Sequence, residues 1–267
     1  QRGSTMNDEE LDTLEVEQTK KLHFEWLFPI FLKPRATFEK IAKQTNAVWL
    51  TPLLILSVLI IILALVNSPI RALNAQMGAT LPPDFEYYSA DQQQKILAAQ
   101  QSMSSPVFTL VFPALGSLTG LWLGWLILSS ILHFSLTLAG SSNHTKSALN
   151  IVGWAFMPFA LRYLVQIIAT LITKQVIISP GLSGFFPTDM GNFQLFLNKV
   201  FGSIDIYFIW QVILLALGVI AISSLPRGKS WIATLVSVLI ILLLLAVPGY
   251  ISAKIGGVGA STPFYFF

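Results

Sequence analysis

Residues 231–247 read WIATLVSVLIILLLLAV. The run carries no charge and does not alternate between polar and apolar positions. The apolar core of a bilayer is about 30 Å thick, and about 20 apolar residues in a helix cross it. Lipid offers no partners to backbone N–H and C=O groups, so a spanning segment must be a helix or part of a closed barrel. Barrel strands alternate over about ten residues, and Val238–Val247 does not. This stretch is therefore predicted to be a transmembrane helix.

Four further runs have the same character: Ala47–Val66, Pro106–Leu138, Asn150–Thr173 and Ile204–Ser223. The fold class expected is all-α, a polytopic membrane bundle of about five transmembrane helices with interfacial amphipathic helices. Pro106–Leu138 would extend about 50 Å as one helix. Proline removes a backbone donor and clashes with the preceding turn. A short interfacial piece before Pro113 and a span over Ala114–Leu138 are therefore expected.

Composition agrees. Hydrophobic residues make up 54% of the 267 and charged residues 11%, where a soluble domain carries about 25% charge. The net charge of +3 is small and suggests no nucleic-acid partner. Without cysteine there are no disulfides, thiolate metal sites or cysteine nucleophiles.

Basic residues set orientation. Lys20, Lys21, Lys33, Arg35, Lys40 and Lys43 precede the first span, against Arg71 and Lys95 with three acids after it. Lys146, Arg227 and Lys229 fall in connections on the N-terminal side. Lys174, Lys199 and Lys254 oppose the bias. The expectation is a cytoplasmic N-terminus and an outer C-terminus.

The domain reading follows. Residues 1–21 comprise a scar, Gln1–Thr5, ahead of Met6 and then a disordered acidic tail. Residues 22–46 mix aromatic and basic side chains and read as an interfacial amphipathic segment. Residues 47–251 are the five-span domain, and 252–267 an outer aromatic tail ending in Phe264–Phe267. Tyr87–Gln101 reads as a surface helix in the first outer loop. Lys174–Gly202, with Pro180, Gly181, Gly184 and Pro187, reads as a loop whose Phe185, Phe186, Phe193 and Phe196 rest on the interface. Asn143-His144-Thr145 matches a glycosylation pattern by chance, since its loop is assigned to the cytoplasm.

The candidate site residues lie inside the spans. Gly116, Gly120 and Gly124 recur every fourth residue and form a stripe for close helix packing, the partner lying in this chain or in another subunit. Arg162 sits mid-span, where a charge costs about 2.5–3.5 kcal/mol on insertion scales. Gln166 follows one turn on. Asp205, the only acid in or near a span, opens the fourth span with Tyr207, Trp210 and Gln211 nearby. Arg162 and Asp205 are predicted to interact, directly or through water. His133 stands alone in the second span beside three serines. The three histidines lack metal-ligand spacing, and no HExxH, GxSxG or Walker A pattern is present. Neither an enzyme nor a cofactor is expected.

Three stretches carry a family resemblance. Lys33-Pro34-Arg35-Ala36-Thr37-Phe38-Glu39-Lys40-Ile41 resembles the element that opens bacterial Yip-family proteins. Ile204-Asp205-Ile206-Tyr207-Phe208-Ile209-Trp210, followed by Gly218, resembles the family's Asp-aromatic-x-x-Trp…Gly signature. Gly153, Pro158 and Arg162 resemble its small-residue and proline helix. The resemblance spans Leu32–Tyr250 and implies five spans, a cytoplasmic N-terminus and a bacterial cytoplasmic membrane. The long Ser68–Ser105 loop departs from the most compact members. Pro34, Phe38, Asp205, Trp210 and Gly218 are signature positions without a catalytic role. Eukaryotic relatives resemble vesicle-traffic factors that meet Rab-type GTPases. Bacterial relatives include membrane subunits accompanying ABC exporters.

The reading is a non-catalytic membrane scaffold or accessory subunit, partnered by the bilayer and by transporter subunits or a second copy of itself. One alternative is a small channel or carrier lined by Arg162, Gln166, Asp205 and His133. Another is a membrane-shaping or lipid-handling protein using its aromatic segments.

Overall fold

The computed structural model describes residues 22–77, 85–142, 145–177, 181–185 and 192–256. The acidic segment, Asn143-His144, Phe186 and the Phe264–Phe267 cluster lie outside them, with the expectations attached to each.

Among the described residues the regular structure is helical. In chain order the α-helices are α1 Pro29–Leu32, α2 Pro34–Ala42, α3 Leu50–Met77, α4 Ala90–Met103, α5 Phe112–Leu138, α6 Thr145–Ala155, α7 Pro158–Thr173, α8 Asn192–Gly202, α9 Ile206–Ile222 and α10 Arg227–Gly256. By length and composition, four helical stretches among the described residues suffice to cross a membrane: Leu50–Met77, Val107–Leu138, Thr145–Thr173 and Arg227–Pro248. A bent pair, Phe196–Gly202 and Ile206–Ile222, brings the number to five if it counts as one span.

Several boundaries differ from the sequence expectation. The first helix runs past Val66 to Met77, carrying Pro69 inside it. Apolar surroundings favour keeping the backbone bonded, so proline is tolerated there. The expected break at Pro113 is a change of winding instead. Val107–Val111 is π-helical and leads directly into α5. Phe112 N–H donates to Val107 C=O, and Pro113, which lacks a donor, falls just after the wider turn. The expected single helix over Asn150–Thr173 is two, α6 and α7, separated at Phe156–Met157. Pro158 is the first residue of α7, where its missing N–H would be unbonded anyway. The tail boundary at 252 moves outward, because α10 continues through Gly256. Lys174–Gly202 is less of a loop than expected, containing a 3-10 turn, Gly181–Phe185, and then α8.

The surface helix is α4, two residues later than expected at its end. Ser89 caps it, accepting from Gln92 N–H while Gln92 Oε1 accepts from Ser89 N–H at 3.1 Å. Lys95 adds an ion pair to Asp91 at 2.7 Å. No residue of α4 is buried, so the cap and the ion pair contribute much of what holds it.

The chain divides into two compact units. Unit one comprises Gln1–Leu56, Trp122–Phe159 and Ile206–Leu245; unit two comprises Ser57–Leu121, Ala160–Asp205 and Ala246–Phe267.

In unit one, α2 packs against α6 and α9. Phe38 and Ile41 are one turn apart on α2 and fully buried. A Cβ on Gly218 would stand 2.3 Å from Ile151 Cγ2 and 3.1 Å from the Phe38 ring, so this approach requires glycine. Trp26 and Ile30 are buried as well. Segment 22–46, expected to lie at the interface, therefore has one side built into the unit's core. In unit two, Gly181 adopts φ +53°. A Cβ there would fall within 3 Å of the carbonyls of Phe201, Gly202 and Ile204, and Leu182 N–H donates to Ile204 C=O at 3.0 Å.

Candidate functional site

In unit two the sequence of α7 separates two surfaces. Leu164, Val165, Ile168, Leu171 and Ile172 are exposed and suit lipid. Arg162, Gln166 and Thr170, four residues apart, share the opposite face; Arg162 and Thr170 are buried and Gln166 half-buried. Arg162 Nε lies 3.3 Å from Asp205 Oδ2, with the two side chains 11% and 10% exposed. The contact is one of charge: Nε itself has no aligned hydrogen bond. Two opposite charges withdrawn from water at this distance favour one another strongly, and each would be costly alone.

Other polar groups of unit two were not singled out in the sequence. Ser68 and Thr109 share a hydroxyl contact of 3.0 Å, and Thr109 also donates to Ser105 C=O at 3.1 Å. Asn67 Oδ1 and Thr170 Oγ1 are buried without a hydrogen-bond partner among the described residues. Short polar residues scattered in apolar runs give no periodic signal. Asn67, next to Ser68-Pro69, read as a span end.

Unit one holds a second constellation, centred on Asn150. Its side chain is fully buried. Oδ1 accepts from Val48 N–H at 3.0 Å and from Trp49 N–H at 3.2 Å, and Nδ2 donates to Asn46 C=O at 2.9 Å. These groups immediately precede α3, where helix geometry leaves the first N–H groups without intrahelical acceptors. Val48 N–H also donates to Asn46 C=O at 3.1 Å, so the side chain from α6 ties down the turn that leads into α3. Tryptophans surround it. Trp154 Nε1 donates to Val48 C=O at 3.1 Å and Trp125 Nε1 to Leu149 C=O at 3.0 Å. Trp49 packs on Trp125 and Trp122, with centroids 4.4 and 6.0 Å apart. Trp26 packs on Trp154 and stacks on His23, whose N–H donates to Thr51 Oγ1 at 2.9 Å. A Cβ on Gly153 would lie 2.9 Å from Trp49 Cβ, so glycine again allows the approach.

The remaining expected site residues are distributed. His133 Nε2 lies 3.2 Å from Thr145 Oγ1, and its buried Nδ1 has no hydrogen bond among the described residues. Gln211 is buried, its Oε1 likewise unpartnered among the described residues. Both belong to unit one, whereas Arg162, Gln166 and Asp205 belong to unit two. Trp210 meets Phe31 edge-on at 5.4 Å, and Pro34 opens α2. Gly120 and Gly124 are buried, while Gly116 has open space where a Cβ would go. Among the described residues no three His, Asp or Glu side chains are grouped to hold a metal ion. What these arrangements do chemically is neutralise charge and close backbone hydrogen bonds inside an apolar body.

The Yip1 domain family model matches residues 28–247. The chain is similar to "Membrane protein YknW" of Bacillus subtilis (strain 168), being 24% identical over 212 residues, which cover 79% of this chain and 84% of that protein. No solved structure matches the chain. The stretch from Pro34 through Gly218 falls inside the matched region.

Proposed function

The chain belongs to the Yip1 family of membrane proteins, and on that premise we propose that it is a non-catalytic scaffold or accessory subunit whose spans hold partner membrane proteins together. The bacterial form of the opening element supports placing it in the cytoplasmic membrane with its N-terminus inside. The observation that carries the reading is the Arg162–Asp205 pair at 3.3 Å. An intramembrane arginine that works on a substrate is kept available to it. Here the charge is answered by the chain's own carboxylate, as in a structural tie. Asn150 supports the same view, because all its bonds go to the chain's own backbone.

The partner class follows from the bacterial resemblance: subunits of an ABC-type exporter. Gly116 supplies a contact point, since it is open where Gly120 and Gly124 are covered. The test is affinity purification from the native membrane in mild detergent, followed by mass spectrometry. Stoichiometric recovery of a transporter ATPase and permease supports the accessory role. A solitary protein, recovered from membranes in which such a transporter is expressed, counts against it.

One observation favours a second reading, a small channel or carrier. Asn67 Oδ1 and Thr170 Oγ1 are buried and unpartnered, and water or a polar solute would satisfy them. Solute flux into liposomes carrying the purified protein, abolished by Asn67→Leu and Thr170→Val, would favour a pathway over a scaffold. Flux equal to that of empty liposomes removes this reading.

A further inference from the structure

The N-terminal segment of unit one presents two apolar sides, and the core uses only one. Backbone bonds from Leu27 N–H to Phe24 C=O, from Leu32 N–H to Phe28 C=O and from Lys33 N–H to Pro29 C=O make residues 23–33 a nearly continuous helical track. Trp26 and Ile30, four apart, are buried at 3% and 0% exposure. Phe24, Phe28 and Leu32, also four apart, occupy another side at 56%, 79% and 79%. The segment cannot roll to hide this row. Phe31 is held against Trp210, Phe38 against Gly218, and His23 N–H against Thr51.

The charges beside the row are mainly positive. Glu25 is met by His23 Nδ1 at 2.8 Å and Glu39 by Arg35 Nε at 3.5 Å. Lys33, Lys40 and Lys43 are exposed: Lys33 follows directly on the row, Lys40 lies on α2 and Lys43 comes just after it. Aromatic and aliphatic side chains beside lysines match the boundary between acyl chains and anionic headgroups. Ile206, Ile209 and Ile213 of α9, in the same unit, are exposed too.

We infer that Phe24, Phe28 and Leu32 are seated in one leaflet at the acyl–headgroup boundary, with Lys33, Lys40 and Lys43 on anionic lipid headgroups. The N-terminal segment is thus a fixed lipid-contact strip, clamped to the spans on its other side.

The chain has no cysteine, so single-cysteine variants report without background. Phe28→Cys, Leu32→Cys and Lys40→Cys are reconstituted in liposomes containing phosphatidylglycerol and treated with a membrane-impermeant maleimide. Labelling after denaturation in detergent gives the total thiol, and thermal unfolding close to the parent's certifies the fold. The expected result is labelling of Phe28→Cys and Leu32→Cys about tenfold slower than that of Lys40→Cys. In phosphatidylcholine alone, the protection falls several-fold. Equal rates at all three positions overturn the inference. So does protection that is found in native membranes but lost in lipid alone, because a protein then covers the row. Protection indifferent to lipid charge overturns the assignment of the lysines.

Discussion

The side-chain oxygen of Asn150 accepts from the backbone N–H groups of both Val48 and Trp49, at 3.0 and 3.2 Å. One amide on α6 therefore closes the entry to α3. Asn150→Ala takes the acceptor from Trp49 N–H, while Val48 N–H and Asn46 C=O keep the bond they make to one another at 3.1 Å. Losing a cap-type bond costs about 1 kcal/mol and the orphaned group about 1–3 kcal/mol. The expected loss is about 3 kcal/mol, read as a fall of about 10 °C in the unfolding midpoint of the purified protein. Asn150→Asp keeps the acceptor but loses the donor and buries a charge, and is expected to fare no better.

The Arg162–Asp205 pair is expected to behave as a unit. Removing one member strands the other, and about 3–5 kcal/mol is the usual penalty for a buried pair. Arg162→Leu and Asp205→Leu should each destabilise by that order. The double variant should recover most of the loss, since neither charge remains. A double-mutant cycle in chemical or thermal unfolding checks this; additive losses would show that the two side chains do not depend on one another.

Gly218 and Gly116 should respond oppositely. At Gly218 a methyl group meets Ile151 Cγ2 at 2.3 Å, and Gly218→Ala is expected to cost about 1–3 kcal/mol through overpacking. At Gly116 nothing lies within 4 Å of a Cβ, so Gly116→Ala should leave stability unchanged or raise it by up to about 1 kcal/mol through helix propensity. Gly116→Leu should spare the isolated protein while reducing recovery of its membrane partner. A partner retained in full would place the contact elsewhere.

Two residues in the left-handed backbone region give a further contrast. Lys174, φ +56°, ends α7 with its N–H bonded to Thr170 C=O at 2.9 Å. Lys174→Gly should stabilise by about 1 kcal/mol, because glycine takes this conformation freely. Gly181, φ +53°, is surrounded by carbonyls. Gly181→Ala should lower the unfolding midpoint sharply, and Gly181→Ser should do no better.

The sequence made the helical class legible because runs such as Val238–Val247 are too long and too uniformly apolar for any other solution in lipid. The Arg162–Asp205 contact was readable for a related reason: two opposite charges in apolar runs have few other partners. Asn150 escaped notice because it lies at the start of an expected span, where polar residues are ordinary. Its partners are backbone groups that leave no trace in residue types. The dual nature of residues 22–46 was hidden by composition. Trp26 and Phe28 are both aromatic and apolar, and only packing, that of Trp26 on Trp154 of α6, decides which of them is covered. The division of Asn150–Thr173 at Pro158 was legible in principle, since proline at a first helical position marks a start as readily as a kink.

The bond between Val48 N–H and Asn150 joins residues 102 positions apart. It bears on the order of events during synthesis. At about 5–20 residues per second, roughly 5–20 s separate emergence of the first span from emergence of Asn150. Through that interval Trp49 N–H must find water, a headgroup or another protein as its acceptor. The third span supplies the acceptor on arrival, and unit one, which reaches Leu245, is complete only later.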